Sequence, residues 1–315
     1  LPEGYSKKTP YINITCGAYP EHNAKFIQFA TEWIDQSDFS EIAKNLFTLC
    51  MINSLERCSY TSKSGQYLSW DSRSEKIIDV NRRREEAGKK PLAQHTCRKV
   101  IEDSRDAVAD ELRHVLSDLE TIQGSGYAGT PSAIHYTQGS ALFQLPQIAD
   151  GLLKGVITSP PYCNRYDYTR TYALELAYLG VDEKGIKEMR QALLSCTVEN
   201  KSKVEALREH YTSIGAGERF HSILSRIRTN PALQEVLQAL EMRKAHGDLN
   251  NDGVLRMVEG YFTELAFLYR ELYRICQPGA VVAFVNDNVR YGGEVIPVDY
   301  LSTSLAEQFG FTPVK

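Results

Sequence analysis

The sequence predicts an α/β fold built on a parallel sheet that is short of strands, joined to a largely helical amino-terminal region. Three observations lead there. Residues 155–158 and 280–285 (A-V-V-A-F-V) are apolar runs of strand length, and residues 133–137 form a third candidate ended by Gly139. Helical periodicity lies between them, which is the alternation of a parallel sheet covered by helices. A doubly wound sheet usually holds about five strands or more. Three candidates, with a fourth beginning at the final G-F-T-P-V-K, leave this one incomplete. The remaining strands then lie outside these residues or are hidden in the helical amino-terminal part.

Taken in order, residues 26–33 and 42–55 carry apolar side chains at helical spacing, and Val108, Leu112, Val115, Leu116 and Leu119 mark one face of a third helix that fades after Gln123. Residues 59–94 are polar, with basic and aromatic residues interleaved, and read as a loop. The turn Pro278-Gly279 introduces the strand at 280–285, and a helix runs from about Thr171 to Leu179. Several short helices in succession fill residues 182–252 and interrupt the alternation. The organisation expected is a mainly helical region at 1–130, a core at 131–181 and 253–315, and a helical insertion at 182–252.

Bulk properties exclude more than they choose. With 315 residues, 42% of them hydrophobic, and a net charge of −4, the chain can bury a sizeable core and shows no global basic field. Seven cysteines, none in a C-x-x-C pair, argue for reduced thiols and a cytoplasmic protein, not a disulfide framework or a zinc site. No signal peptide and no apolar run of spanning length are visible, so no membrane role is expected.

Chemistry concentrates at T-S-P-P-Y, residues 158–162. A strand ending here delivers the chain to the carboxyl edge of a parallel sheet, where open α/β folds bind their ligands. Pro160 and Pro161 lack an N–H and have fixed φ, so the loop is stiff and its carbonyls look outward for donors. The Ser159 hydroxyl and the Pro160 carbonyl are then placed to accept from an –NH₂ group, and Tyr162 offers a face on which a ring can stack. A nucleobase with an exocyclic amine meets both demands. The plain alternative is a Pro-Pro turn that merely closes a strand.

Ser159-Pro160-Pro161-Tyr162 resembles the catalytic loop of the S-adenosylmethionine-dependent DNA amino-methyltransferases, which carry [Asp/Asn/Ser]-Pro-Pro-[Tyr/Phe/Trp] at a strand end. Residues 135–146 (H-Y-T-Q-G-S-A-L-F-Q-L-P) and 261–288 resemble the same family's preceding segment and its helix, Pro-Gly turn and next strand. The resemblance covers residues 131–180 and 253–315. It implies a Rossmann-like methyltransferase core, S-adenosylmethionine as cofactor, DNA as substrate and partner, a flipped target base, and no metal. The serine form implies cytosine N4 as the acceptor, with adenine N6 next, in restriction-modification or phage defence. RNA or a protein amide as substrate, and a non-catalytic DNA- or partner-binding subunit, stay open beside it.

Two departures bear on the cofactor. Gly139-Ser140 stands where the family has Gly-Asp near the adenosine, which makes both candidate cofactor-binding residues. The family's glycine-rich loop, Asp-Pro-Phe-x-Gly-x-Gly-Thr, is absent from this sequence, so a second subunit or a missing segment is expected to carry it. The literal G-x-G-x-x-G at 124–129 follows a helix and precedes a strand, the reverse of the phosphate-cradling order.

For DNA contact, Arg165 and Arg170 are candidates for phosphates beside the flipped nucleotide and Tyr166 or Tyr168 for stacking, while Asp167 is in place to cap the following helix. In the polar segment, Lys63, Tyr67, Trp70 and Arg73 combine cations with aromatics, the composition of a nucleic-acid surface. Arg82, Arg83 and Arg84, followed by Glu85 and Glu86, read as solvated surface. The insertion, with Lys201, Lys203, Arg208, Arg219, Arg226 and Arg228, is the candidate for target recognition by position. Residues 248–259 (D-L-N-N-D-G-V-L-R-M-V-E) match the EF-hand calcium loop literally, the alternative being an Asn-Asp-Gly turn that opens a helix.

Overall fold

The structure is a computed structural model that describes residues 1–65, 67–126 and 134–314. In chain order its elements are α1 (Glu21–Asp35), α2 (Glu41–Ser54), β1 (Thr61–Ser64), β2 (Tyr67–Trp70), α3 (Glu75–Glu86), α4 (Ser104–Gly124) and α5 (Ala141–Gln144), which runs into a 3₁₀ turn (Leu145–Gln147). There follow β3 (Leu153–Thr158), α6 (Tyr168–Thr171), α7 (Ala173–Tyr178), α8 (Glu183–Ala192), α9 (Val204–Ser213), α10 (Gly217–Arg228) and α11 (Pro231–Ala245). The last are α12 (Gly253–Ile275), β4 (Cys276–Phe284), β5 (Val289–Tyr291), β6 (Glu294–Ile296) and α13 (Val298–Gln308). They fall into two compact units, Leu1–Ile134 with Tyr168–Lys187, and His135–Asp167 with Glu188–Lys315.

The first unit packs α1, α2 and α4 through Ile27, Ala30, Met51, Leu55 and Val108, joined by Leu174 of α7. Its helices start where the sequence supplies caps: the Ser40 hydroxyl accepts from the Ala43 N–H at 3.3 Å, and Ser74 and Asp103 accept likewise at α3 and α4. Buried Asn23 fastens the helices together. Its amide donates to the carbonyls of Cys58 and Glu102 at 2.9 and 2.8 Å and accepts from the Ser104 N–H at 2.8 Å, so no part of it is left unpaired in the core.

In the second unit α12 is the spine. Fifteen of its residues are buried, from Val254 to Ile275, and its apolar faces meet Leu207 and Tyr211 of α9, Phe220, Ile223 and Ile227 of α10, Leu233 and Leu240 of α11, and Leu301 and Leu305 of α13. The insertion helices and the 253–315 segment therefore share one core. β3 and β4 pair in parallel, with Val156 opposite Val282 and Thr158 opposite Phe284. One face of this pair packs on the core through Phe284, whose ring lies 5.1 Å from that of Tyr269. The other face is open: Ile157 is 89% exposed and Val281 72%.

Several expectations need correction. Residues 134–137 form no strand, and Ala133 lies outside the described residues. Residues 311–314 form none either; the chain leaves α13 and packs Phe311 on the core instead. Pro278-Gly279 does not precede a strand but sits inside β4 as an irregularity, Gly279 taking φ +81°, where the register shifts between Leu153 and Gly155. The segment read as a loop, 59–94, holds the hairpin β1–β2, with Thr61 opposite Trp70, and the helix α3. The helix expected at 171–179 is two short ones divided at Tyr172. Gly124 ends α4, and Gly129 of the G-x-G-x-x-G run lies outside the described residues.

Candidate active site

β3 brings the chain to Ser159 at the carboxyl end of the parallel pair. The Val285 N–H donates to the Thr158 carbonyl at 2.9 Å, and there the ladder stops. With no N–H on either proline, and no donor on the Ser159 or Pro160 carbonyl among the described residues, two acceptors are left for a ligand. Ser159 is exposed and Pro160 buried. The Ser159 and Tyr162 hydroxyls stand 3.3 Å apart, so the structure brings the hydroxyl acceptor and the stacking ring of one tetrapeptide together.

Beyond Tyr162 the backbone is held step by step. The Asn164 N–H donates to the Tyr162 carbonyl at 2.7 Å, the Tyr291 hydroxyl to the Cys163 carbonyl at 2.8 Å, and the Tyr166 N–H to the Asn164 side chain at 3.0 Å. The Cys196 thiol donates to the Tyr166 carbonyl at 3.4 Å. Burial pushes the Cys196 thiol up to about 12 and raises the Tyr291 hydroxyl further, so both remain protonated donors. Arg165, between these anchors, takes φ +67°, a left-handed backbone that a side chain disfavours. Its guanidinium donates to Asn250 at 3.2 Å. Asp167 is buried, with its carboxylate 2.9 Å from the Arg190 guanidinium.

Behind this segment, the Ser195 N–H and hydroxyl donate to Glu264 of α12 at 2.9 and 2.5 Å, and Lys203 completes the cluster at 2.9 Å from the same carboxylate. Lys203 is thus not on a DNA-reading surface: only 9% exposed, it answers a buried charge. Arg219 has a similar inward role against Glu271, and Arg226 reaches the Gln308 carbonyl.

Lys63, Tyr67, Trp70, Arg73 and Arg170 lie in the first unit. Lys63 sits 2.5 Å from Glu175 and 4.4 Å over the Tyr172 ring, and Trp70 carries Lys76 over its own ring at 4.1 Å. Tyr67 is exposed, and Arg170 is half-buried in α6. Arg73 grips Asp71 at 2.8 and 2.7 Å and donates to the carbonyls of Arg98 and Lys99, so its fork fastens the chain around residue 98.

The candidate cofactor residues and the calcium-like stretch both lie at the starts of helices. Gly139 takes φ +142° with the Gln144 side chain where a Cβ would stand, 2.7 Å away, and the Ser140 carbonyl accepts the Phe143 and Gln144 N–H groups at the start of α5. That pair opens the one-turn helix α5. In the calcium-like stretch, α12 begins at Gly253, the sixth loop position, Asp248 pairs with Arg243 at 3.1 Å, Asn250 holds Arg165, and Asn251 accepts the Gly253 N–H at 2.7 Å. Among the described residues no three His, Cys, Asp or Glu side chains converge as a metal site would need.

No protein-family model matches the chain. Curated proteins do. The type II methyltransferase M.BsoBI of Geobacillus stearothermophilus is 48% identical over 314 residues, which is 100% of this chain and 62% of that protein. The type II methyltransferase M.AvaI of a Nostoc species is 36% identical over 307 residues, 96% of this chain and 58% of that protein, as is the M.AvaI of Anabaena variabilis. The chain is related to type II methyltransferases. It spans about three fifths of the length of these relatives. No solved structure matches it. Among the described residues no helix is long and apolar enough to cross a membrane.

Nothing along the chain links Tyr291, Asn250 or Cys196 to the segment after Tyr162. Their contacts reach across 128, 85 and 30 residues, a distance at which no local pattern signals them. The R-Y-G-G-E turn at 290–294 was the one available cue, since two glycines between short β-type runs mark a hairpin.

Proposed function

We propose that this chain carries the base-holding part of a site-specific DNA methyltransferase that moves a methyl group from S-adenosylmethionine to an exocyclic amine of a flipped base. The observation that carries the proposal is the Ser159 hydroxyl 3.3 Å from the Tyr162 hydroxyl, with a Pro160 carbonyl that accepts from no donor among the described residues, at the carboxyl end of β3. Kinship with type II methyltransferases supports DNA as substrate and a place in restriction-modification. Ser159 and Pro160 would accept the hydrogens of the amine and so favour the positive charge that develops on its nitrogen, and Tyr162 would stack the base. Cytosine N4 is the acceptor favoured by the serine, with adenine N6 next.

S-adenosylmethionine supplies the methyl group, but its glycine-rich cradle is not among these residues. The pair β3–β4 has no third strand beside it among the described residues, and its face bearing Ile157 and Val281 is exposed, which supports a Rossmann-like sheet completed by strands at its edges and covered by helices from a further segment or a second subunit. Arg165 and Arg170 remain the proposed contacts to phosphates beside the flipped nucleotide, with Tyr166 for stacking. Lys63, Tyr67 and Trp70 offer a second cationic and aromatic surface. Seven free thiols suit a reducing cytoplasm.

The test is transfer of label. The intact protein is incubated with methyl-labelled S-adenosylmethionine and, separately, duplex DNA, RNA and a protein mixture. Label in DNA alone supports the proposal. Label confined to RNA or protein sinks the substrate, and cofactor binding without any transfer would favour a non-catalytic binding subunit.

A further inference from the structure

We propose that Tyr291 and Asn250 are positioning residues that fix the backbone of residues 163–165 and thereby set where Tyr162 meets its base; the inference rests on Ser159–Tyr162 being the base-holding loop. Two features of that segment call for outside support. Arg165 is a non-glycine residue at φ +67°, a conformation that persists only where surrounding contacts over-determine it. The acceptor side of the loop is held from β3, where the Val285 N–H donates to the Thr158 carbonyl at 2.9 Å, so the placement of Tyr162 depends on how the residues that follow it are held.

Both supports come from one block. Tyr291 at the end of β5 donates its hydroxyl to the Cys163 carbonyl at 2.8 Å, and Asn250 accepts the Arg165 guanidinium at 3.2 Å. The hairpin and the segment before α12 that carry them are in contact: a Cβ on Gly292 would lie 2.9 Å from the Leu249 side chain and 3.4 Å from the Asp248 carbonyl. Arg243 ties the same two pieces, reaching Asp248 at 3.1 Å and Glu294 at 2.7 Å. The stretch that resembles a calcium loop thus has a mechanical use. It braces Arg165, and through the hairpin it braces Cys163.

A misplacement of about 1 Å in a reacting group can lower a rate by roughly a hundredfold, so loss of one brace should be visible in turnover. The intact protein is compared with Tyr291→Phe, Asn250→Ala, Asn250→Asp and Tyr162→Ala in single-turnover methylation of duplex DNA, with KM for DNA and thermal midpoint recorded for each. The expected result is a fall of about tenfold or more in the rate for Tyr291→Phe and Asn250→Ala, with KM and midpoint little changed, and recovery in Asn250→Asp, which keeps an oxygen for Arg165. Wild-type rates in Tyr291→Phe and Asn250→Ala alongside an inactive Tyr162→Ala would overturn the bracing role and leave the loop's function standing. A rate that falls only in step with the thermal midpoint, unrecovered in Asn250→Asp, would also overturn it. A fully active Tyr162→Ala would overturn both.

Discussion

The Lys203 ammonium lies 2.9 Å from the Glu264 carboxylate in the interior of the second unit, with side chains only 9% and 2% exposed. Burial raises the Glu264 carboxyl above its ordinary value of 4.5 despite the pull of Lys203. Removing the partner leaves a charge with nowhere to go. Lys203→Met should destabilise the protein by about 3–5 kcal/mol at neutral pH. The sign of its pH dependence follows from the raised value: the folded state holds the proton more tightly, so the deficit is smallest below about 4.5 and grows as pH rises. Denaturant unfolding at several pH values checks this.

Asp71 titrates the opposite way. Completely buried, it accepts from the Arg73 side chain and from the backbone N–H groups of Arg73 and Cys97, and these hold its carboxyl near 2, against 3.8 when free. A depressed value gives stability that is complete above 3.8 and lost as pH falls toward 2. Asp71→Asn should therefore cost about 1.5–3 kcal/mol at neutral pH and flatten the acid limb of the stability profile. Thermal melts between those pH values would show a parallel fall in both proteins if Asp71 had no such role.

The β5–β6 turn offers a paired comparison. Gly292 and Gly293 take φ +55° and +87°, but only at Gly292 would a Cβ strike a neighbour. Both alanine variants should lose about 1–2 kcal/mol from backbone strain. Gly292→Ala should lose more, because Leu249 must also move. Equal losses would show that the hairpin and the Asn-Asp-Gly turn are not tightly packed.

Calcium should have no effect on the melting temperature at millimolar concentration, because Asp248 and Asn250 are engaged with Arg243 and Arg165 and α12 starts inside the candidate loop. A rise of several degrees would indicate a site that binds the folded state.

What the sequence made legible was local. The apolar runs that became β3 and β4, the periodic helices at 21–35, 41–54 and 104–124, and the Pro-Pro dipeptide all act through neighbouring residues, and each stood out. The hairpin β1–β2 was missed because its residues are mostly polar and only Thr61 and Leu68 turn fully inward. A cation's partner is equally invisible along the chain: Lys203 and Glu264 are 61 residues apart, and a lysine in a charged stretch reads as surface until its carboxylate is found. Within the candidate site, the tetrapeptide stands out along the chain, whereas the contacts of Tyr291 and Asn250 to the residues after it do not.

The most direct measurement is mass spectrometry of the nucleosides released from DNA after incubation with the intact protein and S-adenosylmethionine. N4-methylcytosine, present with the wild type and lost with Tyr162→Ala, is the predicted result. N6-methyladenine in its place would overturn the choice of base, and methylation at a ring carbon, or undiminished product from Tyr162→Ala, would contradict the role given to Ser159, Pro160 and Tyr162.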